Sequence, residues 1–282
     1  MKKSSAIFCA TILILSGCDR QSGNQSQSGT SSSRRSVKTA RPSTVIATPT
    51  DDQLFADFLK SNYGKWRSDR QGWQPGDGAD IYQKCGSIRV STADGPRYLL
   101  AICGETESAV QDGVPGMGGE AEPGSIDLYV LKPTQDGHGL EPVMQKKDIE
   151  SGGNGEPGEV SIHKFGPHLF GFSIDEYSTG EGYTQQVRSI YLPYGDKLIE
   201  AAPHISLELD NSGTYECGEM YSQCRERHFT ITPDTGSQGK IYPLKIAETD
   251  TRGDRSVNIT YNVTFDPEQG RYLVPKALSE GF

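Results

Sequence analysis

The stretch Val257-Asn-Ile-Thr-Tyr-Asn-Val-Thr-Phe265 alternates apolar and polar side chains at every step. Successive side chains of a β-strand point to opposite faces, so the pattern predicts a strand with one apolar and one polar face. Strands that are half buried and half wet are typical of antiparallel sheets. The stretch therefore predicts an antiparallel β-protein.

The same alternation recurs from Cys85 onward, at residues 126–130, 160–162 and 205–209. Turn signals separate the runs: Asp94-Gly95, Asp136-Gly137, Gly195-Asp196, Asp210–Gly213 and Pro233–Gly236. No helical pattern of useful length follows residue 62. The sequence thus predicts an all-β fold, an antiparallel sandwich or meander barrel with a short N-terminal helix.

A weak internal repeat keeps a second architecture open. Gly95, Gly166 and Gly270 each precede an aliphatic-aromatic run. Repeat folds need a clearer period than this, so a propeller-like array is the alternative and not the first choice.

The helix is predicted just before the strands. Thr50–Asp52 suits a helix start, because acidic groups are stabilised at the positive end of the helix dipole. Four apolar residues follow at helical spacing, Leu54, Phe55, Phe58 and Leu59. Gly64 marks the end. We interpret Trp66 and Trp73, which follow, as core or loop anchors in preference to a sugar-binding platform.

The N-terminal segment has the composition of an export signal. Lys2 and Lys3 precede the apolar run 6–15, which is about half the length that spans a bilayer. The run ends in Leu15-Ser-Gly-Cys18, and this motif resembles the lipobox of bacterial lipoproteins. The resemblance implies cleavage before Cys18 and acylation of that cysteine, whose several acyl chains give stable anchoring in membrane lipid. The alternative is an ordinary signal peptide that leaves the cysteine as a free thiol.

Three parts are expected: a lipoprotein signal peptide at 1–17, a lipidated tether at 18–50 and a single β-rich domain at 51–282. The tether is mostly Ser, Gln, Gly, Thr and Arg, so it buries too little apolar surface to offset its ordering entropy. The expected location is a bacterial cell envelope, at the periplasmic face of the inner membrane or at the outer membrane. Asp19 resembles an inner-membrane retention signal of enteric bacteria.

Charge divides the tether from the domain. Residues 19–50 carry a net +4; with this and the +2 of the first 17 residues set aside from the total of −9, residues 51–282 carry −15. The basic tether is suited to anionic lipid headgroups, although its charge also serves to keep a linker soluble. The acidic domain is repelled by phosphate backbones, which argues against a nucleic-acid partner.

Four cysteines remain once the signal peptide is removed and the lipobox cysteine is acylated. An even number in an exported chain indicates disulfides. If a hairpin loop is centred on Asp94, Cys85 and Cys103 stand directly opposite each other, so we predict this bridge. Cys217 and Cys224 then form the second. A four-cysteine zinc site is the competing interpretation, but neither pair has the spacing of zinc knuckles.

Several motifs suggest chemistry without its required context. The glycine-rich stretches 112–119 and 151–158 look like phosphate loops, but their glutamate neighbours repel phosphate, so we interpret them as connecting loops. Ser161-Ile-His-Lys164 matches a Ser-x-x-Lys motif but lies in a predicted strand and not at a helix start. Arg252-Gly-Asp254 copies the integrin-recognition tripeptide and lies in a predicted turn, where such residues are common.

Carboxylates and histidines complete the search. Asp175, Glu176 and Glu181, with the glutamates of the glycine-rich loops, offer oxygen ligands for calcium, but no stretch matches the calcium-binding loop of EF-hands. A solvated acidic rim is therefore preferred. His163 and His168 are the histidines closest in sequence, and no nucleophile elbow accompanies them. We predict no catalytic residue, no cofactor and no metal.

These observations favour a binding protein over an enzyme. An acidic β-domain with long loops, held on a flexible tether, is expected to act as a protein-binding or assembly module with a protein partner in the envelope. Two alternatives stay open. One is an envelope hydrolase with an unrecognised histidine–carboxylate site, and the other is an inhibitor or immunity protein against a secreted toxin.

Overall fold

Two antiparallel sheets contain most of the residues that the structure describes. The computed structural model describes residues 49–78, 80–106, 122–220, 223–252 and 255–281. The N-terminal sheet has six strands, each bonded to its neighbour in sequence. They are β1 (Lys65–Arg67), β2 (Gly72–Gln74), β3 (Ile81–Thr92), β4 (Gly95–Glu105), β5 (Gly124–Pro133) and β6 (Leu140–Ser151).

The C-terminal sheet has seven strands in the same consecutive order. They are β7 (Glu159–Lys164), β8 (Phe170–Gly180), β9 (Tyr183–Tyr194), β10 (Lys197–Asp210), β11 (Arg225–Pro233), β12 (Leu244–Arg252) and β13 (Arg255–Val263). One of the two sheets curls into a half-barrel. The all-β antiparallel prediction is confirmed. The propeller-like alternative is wrong, because sheets of six and seven strands are not four-stranded blades.

The remaining elements are short. They are α1 (Asp51–Tyr63), α2 (Tyr215–Glu219), β14 (Phe265–Asp266), β15 (Arg271–Tyr272) and a 3-10 turn at Lys276–Leu278. The predicted helix start is confirmed: the Thr50 hydroxyl accepts from the Gln53 backbone N–H, and the Gln53 side chain accepts from the Thr50 N–H. This reciprocal cap satisfies two N–H groups that the first turn leaves without partners. The helix ends at Gly64, whose φ of 82° suits glycine.

Helix α1 and the C-terminal sheet cover opposite faces of the N-terminal sheet. The four apolar residues predicted for the buried face of α1 are all buried against it. Strand β4 lies between the two layers, so its side chains alternate between two cores. Tyr98, Leu100 and Ile102 face the helix, whereas Leu99, Ala101 and Cys103 face the other sheet. All six are buried, so this strand has no wet face.

The segment after β13 covers the second face of the C-terminal sheet, which we call the tail-covered face. Phe265, Tyr272 and Leu278 pack there against β10, β11 and β12. The Tyr272 hydroxyl also donates to the Tyr242 carbonyl oxygen at 3.0 Å. On β11 and β12 the residues of the opposite face are mostly exposed. This one-sided burial explains why the alternation is clearest in the last third of the chain.

Both predicted disulfides are present, but the register predicted for the first is wrong. Cys85 and Cys103 are bridged with their Cα atoms 5.7 Å apart. Thr92 pairs with Gly95, so the hairpin has a two-residue loop that is not centred on Asp94. A register shift between Lys84 and Gly86 leaves Cys85 as the extra residue of a β-bulge, which brings its side chain to Cys103.

Cys217 and Cys224 form the second bridge, with Cα atoms 4.7 Å apart. Cys217 lies in α2, whose first turn is capped by the Thr214 hydroxyl. The bridge joins this helix to the start of β11. All four cysteines of the domain are therefore engaged in disulfides and none is left to ligate zinc.

Candidate functional site

The outer edge of β13 is the candidate site. This strand is the last of the C-terminal sheet and pairs only with β12. No other described residue forms a backbone hydrogen bond within its span. Alternate N–H and C=O groups of an edge strand point away from the sheet and remain able to pair with another chain.

The pairing of β12 with β13 is regular over its full length. Nine consecutive residue pairs run from Leu244–Val263 to Arg252–Arg255 without a register shift. The outer edge of β13 is therefore not interrupted by a register shift or a bulge. It is a template for a further strand.

The edge also carries no charge. Residues 256–264 contain no Asp, Glu, Lys, Arg or Pro. Proteins usually protect sheet edges with charged side chains, proline, bulges or very short strands. None of these protections is present along β13 beyond its first residue.

The other three edges of the two large sheets carry such protections. β1 has three residues, two of which are Lys65 and Arg67. β6 has two register shifts and carries Pro142 and Lys146. β7 has six residues and packs beside β3 of the other sheet. Among the described edges, the one formed by β13 is thus the long, unprotected one.

Apolar side chains run along the tail-covered face of β13 and become exposed toward its start. Val263 is buried, Tyr261 is half-buried, and Ile259 and Val257 are 38% and 42% exposed. The sequence pattern correctly predicts that β13 has one apolar face. The prediction that this face is buried is wrong for the first half of the strand. The exposed pair would be covered by side chains of an added strand.

Charged groups beneath this row fix the neighbouring strands. Arg227 donates through Nε to Glu248 Oε1 at 2.7 Å, and Arg225 binds both carboxylate oxygens of Asp250 at 2.9 and 3.2 Å. Glu248 and Asp250 are buried. The Tyr261 hydroxyl donates to Glu248 Oε2 at 2.7 Å and ties β13 to this network. Burial and this bond raise the pKa of Tyr261, so the hydroxyl stays a donor.

The residues considered for catalysis do not form one site. His163 lies edge-on to Phe165, and burial, with Arg188 nearby, lowers its pKa. His168 lines a separate cavity of about 440 Å³ beside Tyr194. Ser161 and Lys164 lie in β7, as expected for a chance motif match.

One histidine–carboxylate pair occurs elsewhere. His228 Nε2 lies 2.6 Å from Glu226 Oε1 on the exposed face of β11. The backbone N–H of His204 donates to the Ser189 hydroxyl at 3.3 Å, and no hydrogen bond joins its ring to another described residue. Within the described structure, His228 has no hydroxyl or thiol partner to act as a nucleophile.

The carboxylates considered for calcium are engaged or dispersed. Asp175 accepts two hydrogen bonds from Arg188 at 2.6 Å, and Glu176 accepts from Ser151 at 2.9 Å. Glu156 and Glu159 are exposed. No three His, Cys, Asp or Glu side chains in the described ranges form a group suited to a metal.

Some predicted features lie outside the described residues. These are the signal peptide and Cys18, most of the tether, the stretch 112–119 with Glu120, and residues 253–254 of the Arg-Gly-Asp tripeptide. The second glycine-rich stretch, 151–158, connects β6 to β7 as expected. No helix in the described parts of the chain is both long and apolar enough to span a bilayer.

Comparisons with known proteins place the chain in no family: no family model, curated protein or solved structure matches it. The candidate site thus depends on geometry alone. The sequence signal that marks it is the absence of charge over 256–264 within an alternating run. That signal identifies a site only when the strand is known to lie at an edge, which the sequence does not show.

Proposed function

We propose that the protein is a lipid-anchored, non-catalytic binding module of a bacterial envelope that accepts an extended segment of a partner protein as a strand on β13. The observation that carries the proposal is the unprotected edge, nine residues in unbroken register. Strand addition uses main-chain hydrogen bonds for affinity and alternate side chains for specificity. An edge that can take a strand has to lack the charges and bulges that block one.

The chemistry of the edge describes the partner segment. Val257 and Ile259 would contact its apolar side chains on the tail-covered face, while Asn258 and Thr260 would face polar ones. The segment is therefore expected to alternate apolar and polar residues and to carry no charge at its centre. Burial of a neutral polar group without a hydrogen-bond partner costs on the order of 2–7 kcal/mol. Burial of an unpaired charge beside Ile259 would cost more.

The lipid anchor belongs to the same proposal. The lipobox-like motif and the basic tether support attachment to membrane lipid through acylated Cys18. The two disulfides support an oxidising compartment such as the periplasm. A tethered module of this kind would search for its partner while staying at the membrane surface.

Replacement of Cys18 tests the anchor. We expect Cys18→Ala to leave uncleaved precursor that retains residues 1–17, because acylation of the thiol precedes cleavage in this class of protein. Intact-mass spectrometry of the membrane fraction measures both events. Cys9→Ala, inside the apolar run, is the matched control and should be processed normally. Cleavage after Gly17 in the Cys18→Ala protein would disprove the anchor.

A charge on the edge tests the binding site. We expect Ile259→Lys to weaken partner binding by at least about tenfold, because the new ammonium would have to be buried beside the added strand. The measurement is co-purification of the full-length protein from its own membranes in mild detergent, with mass spectrometry of what accompanies it. The residue is exposed in the free protein, so the fold should tolerate the change.

Val143→Lys is the matched control, because Val143 is similarly exposed, at 40%, on the β6 edge. It should leave the partner bound. A partner retained equally by both variants would place the site elsewhere, and no partner with the wild-type protein would contradict the binding function. A dimer that becomes a monomer only in Ile259→Lys would identify the added strand as that of a second copy.

A further inference from the structure

A concave site lies beside helix α1, in the N-terminal half of the described structure. A cavity of about 330 Å³ opens between α1, the β1–β2 hairpin and the start of β3. Its lining includes Trp66 and Trp73, which are the two tryptophans of the chain. It is separate from β13, which belongs to the other sheet.

The two indoles have different environments. Trp66 and Trp73 face each other across the hairpin and meet edge to face, with ring centroids 5.5 Å apart. Trp73 is partly buried and packs against the core under α1, as expected for an anchor. Trp66 remains 48% exposed, so it is not the anchor that the sequence suggested. The inner ring therefore supports the outer one and leaves part of it open to a ligand.

Polar groups surround the exposed ring. Gln83 lines the cavity, and its side-chain amide makes no hydrogen bond to a described residue. Asp52 has only a 3.5 Å ion pair with Lys84, and its side chain is 92% exposed. Lys84 extends over the Phe55 ring, with Nζ 5.0 Å from the ring centroid. The rim thus offers an amide, a carboxylate and an ammonium group beside an aromatic plane.

We propose that this cavity binds a saccharide. A pyranose ring presents apolar C–H groups on one face and hydroxyl groups around its rim. The C–H face would stack on Trp66, and the hydroxyls would bond to Gln83, Asp52 and Lys84. Ligand sites generally combine aromatic lining with a few convergent polar groups in this way. The mixture of donors and acceptors, with the two charges opposed, fits a neutral ligand better than a phosphate.

A bilayer is the rival occupant, because exposed tryptophans also enter membrane interfaces. The observations favour the saccharide. Trp66 lines the cavity together with Asp52 and Gln83, and these two polar side chains would lose their water without gaining partners in the hydrocarbon of a bilayer. A saccharide and a bilayer are expected to change the fluorescence of the two indoles in different ways.

Intrinsic fluorescence tests the proposal directly, because every tryptophan of the chain lines the cavity. The probes are soluble tetramers of β-1,4-linked N-acetylglucosamine and of β-1,4-linked glucose, added to the full-length protein in detergent. We expect a saturable change in emission with at least one of them. Trp66→Ala should weaken that binding about tenfold, by isothermal titration calorimetry. Trp66→Phe should keep part of it, because a flat ring remains.

Tyr215→Ala is the control, since Tyr215 is an aromatic residue that is 77% exposed and lies in α2, away from the cavity lining. It should bind the oligosaccharide as the wild type does. An emission that neither tetramer changes at millimolar concentration would overturn the proposal. So would strong quenching by vesicles of brominated phosphatidylcholine, relative to the unbrominated lipid, since the indoles would then lie in a bilayer.

Discussion

We expect Asp127→Ala to lower the free energy of unfolding by about 3–5 kcal/mol, because two hydrogen bonds to a buried charged acceptor contribute about 1.5–3 kcal/mol each. Asp127 is 2% exposed and lies on β5 beneath the end of α1. Its carboxylate accepts from the Tyr63 hydroxyl at 2.5 Å and from the Asp148 backbone N–H at 2.8 Å. Lys147 Nζ lies 3.6 Å away.

Each of these contacts joins a different part of the fold. Tyr63 belongs to the last turn of α1, so its bond fixes the helix to the sheet. Asp148 has a φ of 55° and lies where the β5–β6 register shifts, so the bond to its N–H holds a bulge of β6. Burial first, and then the bond to Asp127, raises the pKa of Tyr63 and keeps its hydroxyl a donor. Removal of the carboxylate leaves the Asp148 N–H without its acceptor, and the Tyr63 hydroxyl then has only the Tyr129 hydroxyl, 2.7 Å away, as a partner among the described residues.

Urea unfolding measures the loss, with the slope of the transition as a check that the denatured state is unchanged. Asp127→Asn should cost less, because an amide oxygen of the same shape still accepts from Asp148. Asp57→Ala is the control, since Asp57 is exposed on α1 and alanine is the better helix former. A loss for Asp127→Ala within about 0.5 kcal/mol of that control would show that the network contributes nothing.

Asp127 also shows that sequence periodicity does not predict burial. The run Ile126–Val130 alternates apolar and polar residues, which predicts that Asp127 and Tyr129 face water. Both are buried, because α1 covers that face of the sheet. Periodicity assigns residues to faces correctly. It does not show which faces another layer will cover.

Short sequence patterns predict correctly the features that depend on neighbouring residues. Helix α1 begins and ends where Thr50 and Gly64 predict, because capping depends on a few neighbouring residues. The Cys85–Cys103 bridge was predicted from a register that is wrong by a bulge, since bulges depend on packing across the sheet. The candidate edge was visible as a charge-free run but not as an edge, because strand order is a property of the whole chain.

The second large effect is expected for Arg227→Met, at about 3–5 kcal/mol. The guanidinium bonds to Glu248 at 2.7 Å and to the Ala277 carbonyl oxygen at 3.0 Å, and it lies 4.8 Å from the centroid of the Phe229 ring. It therefore joins β11 to β12 and to the C-terminal segment. Methionine fills similar space, but it cannot bond to the buried Glu248 carboxylate. Among the described residues, that carboxylate then keeps the neutral Tyr261 hydroxyl as its only donor.

A double variant separates the charge from the packing. Arg227→Met/Glu248→Met should be more stable than Arg227→Met alone, because no buried charge then lacks a partner. Lys245→Met is the control: its ion pair with Asp234 leaves the lysine side chain 54% exposed, and its loss should cost at most about 1 kcal/mol. Urea unfolding of the four proteins gives the comparison. A double variant less stable than Arg227→Met would mean that the carboxylate tolerates burial without its cation.

The same pair of variants bears on the binding edge. Glu248 is the acceptor that holds Tyr261 of β13, so its loss removes a side-chain contact with the strand that we propose receives the partner, while the backbone pairing with β12 remains. If a rigid edge is what favours strand addition, the double variant should recover stability and still bind the partner more weakly than the wild type. Co-purification of the partner with the folded double variant measures this. Equal binding would show that the uncharged, in-register backbone of β13 is sufficient and that the charged network beneath it serves the fold alone.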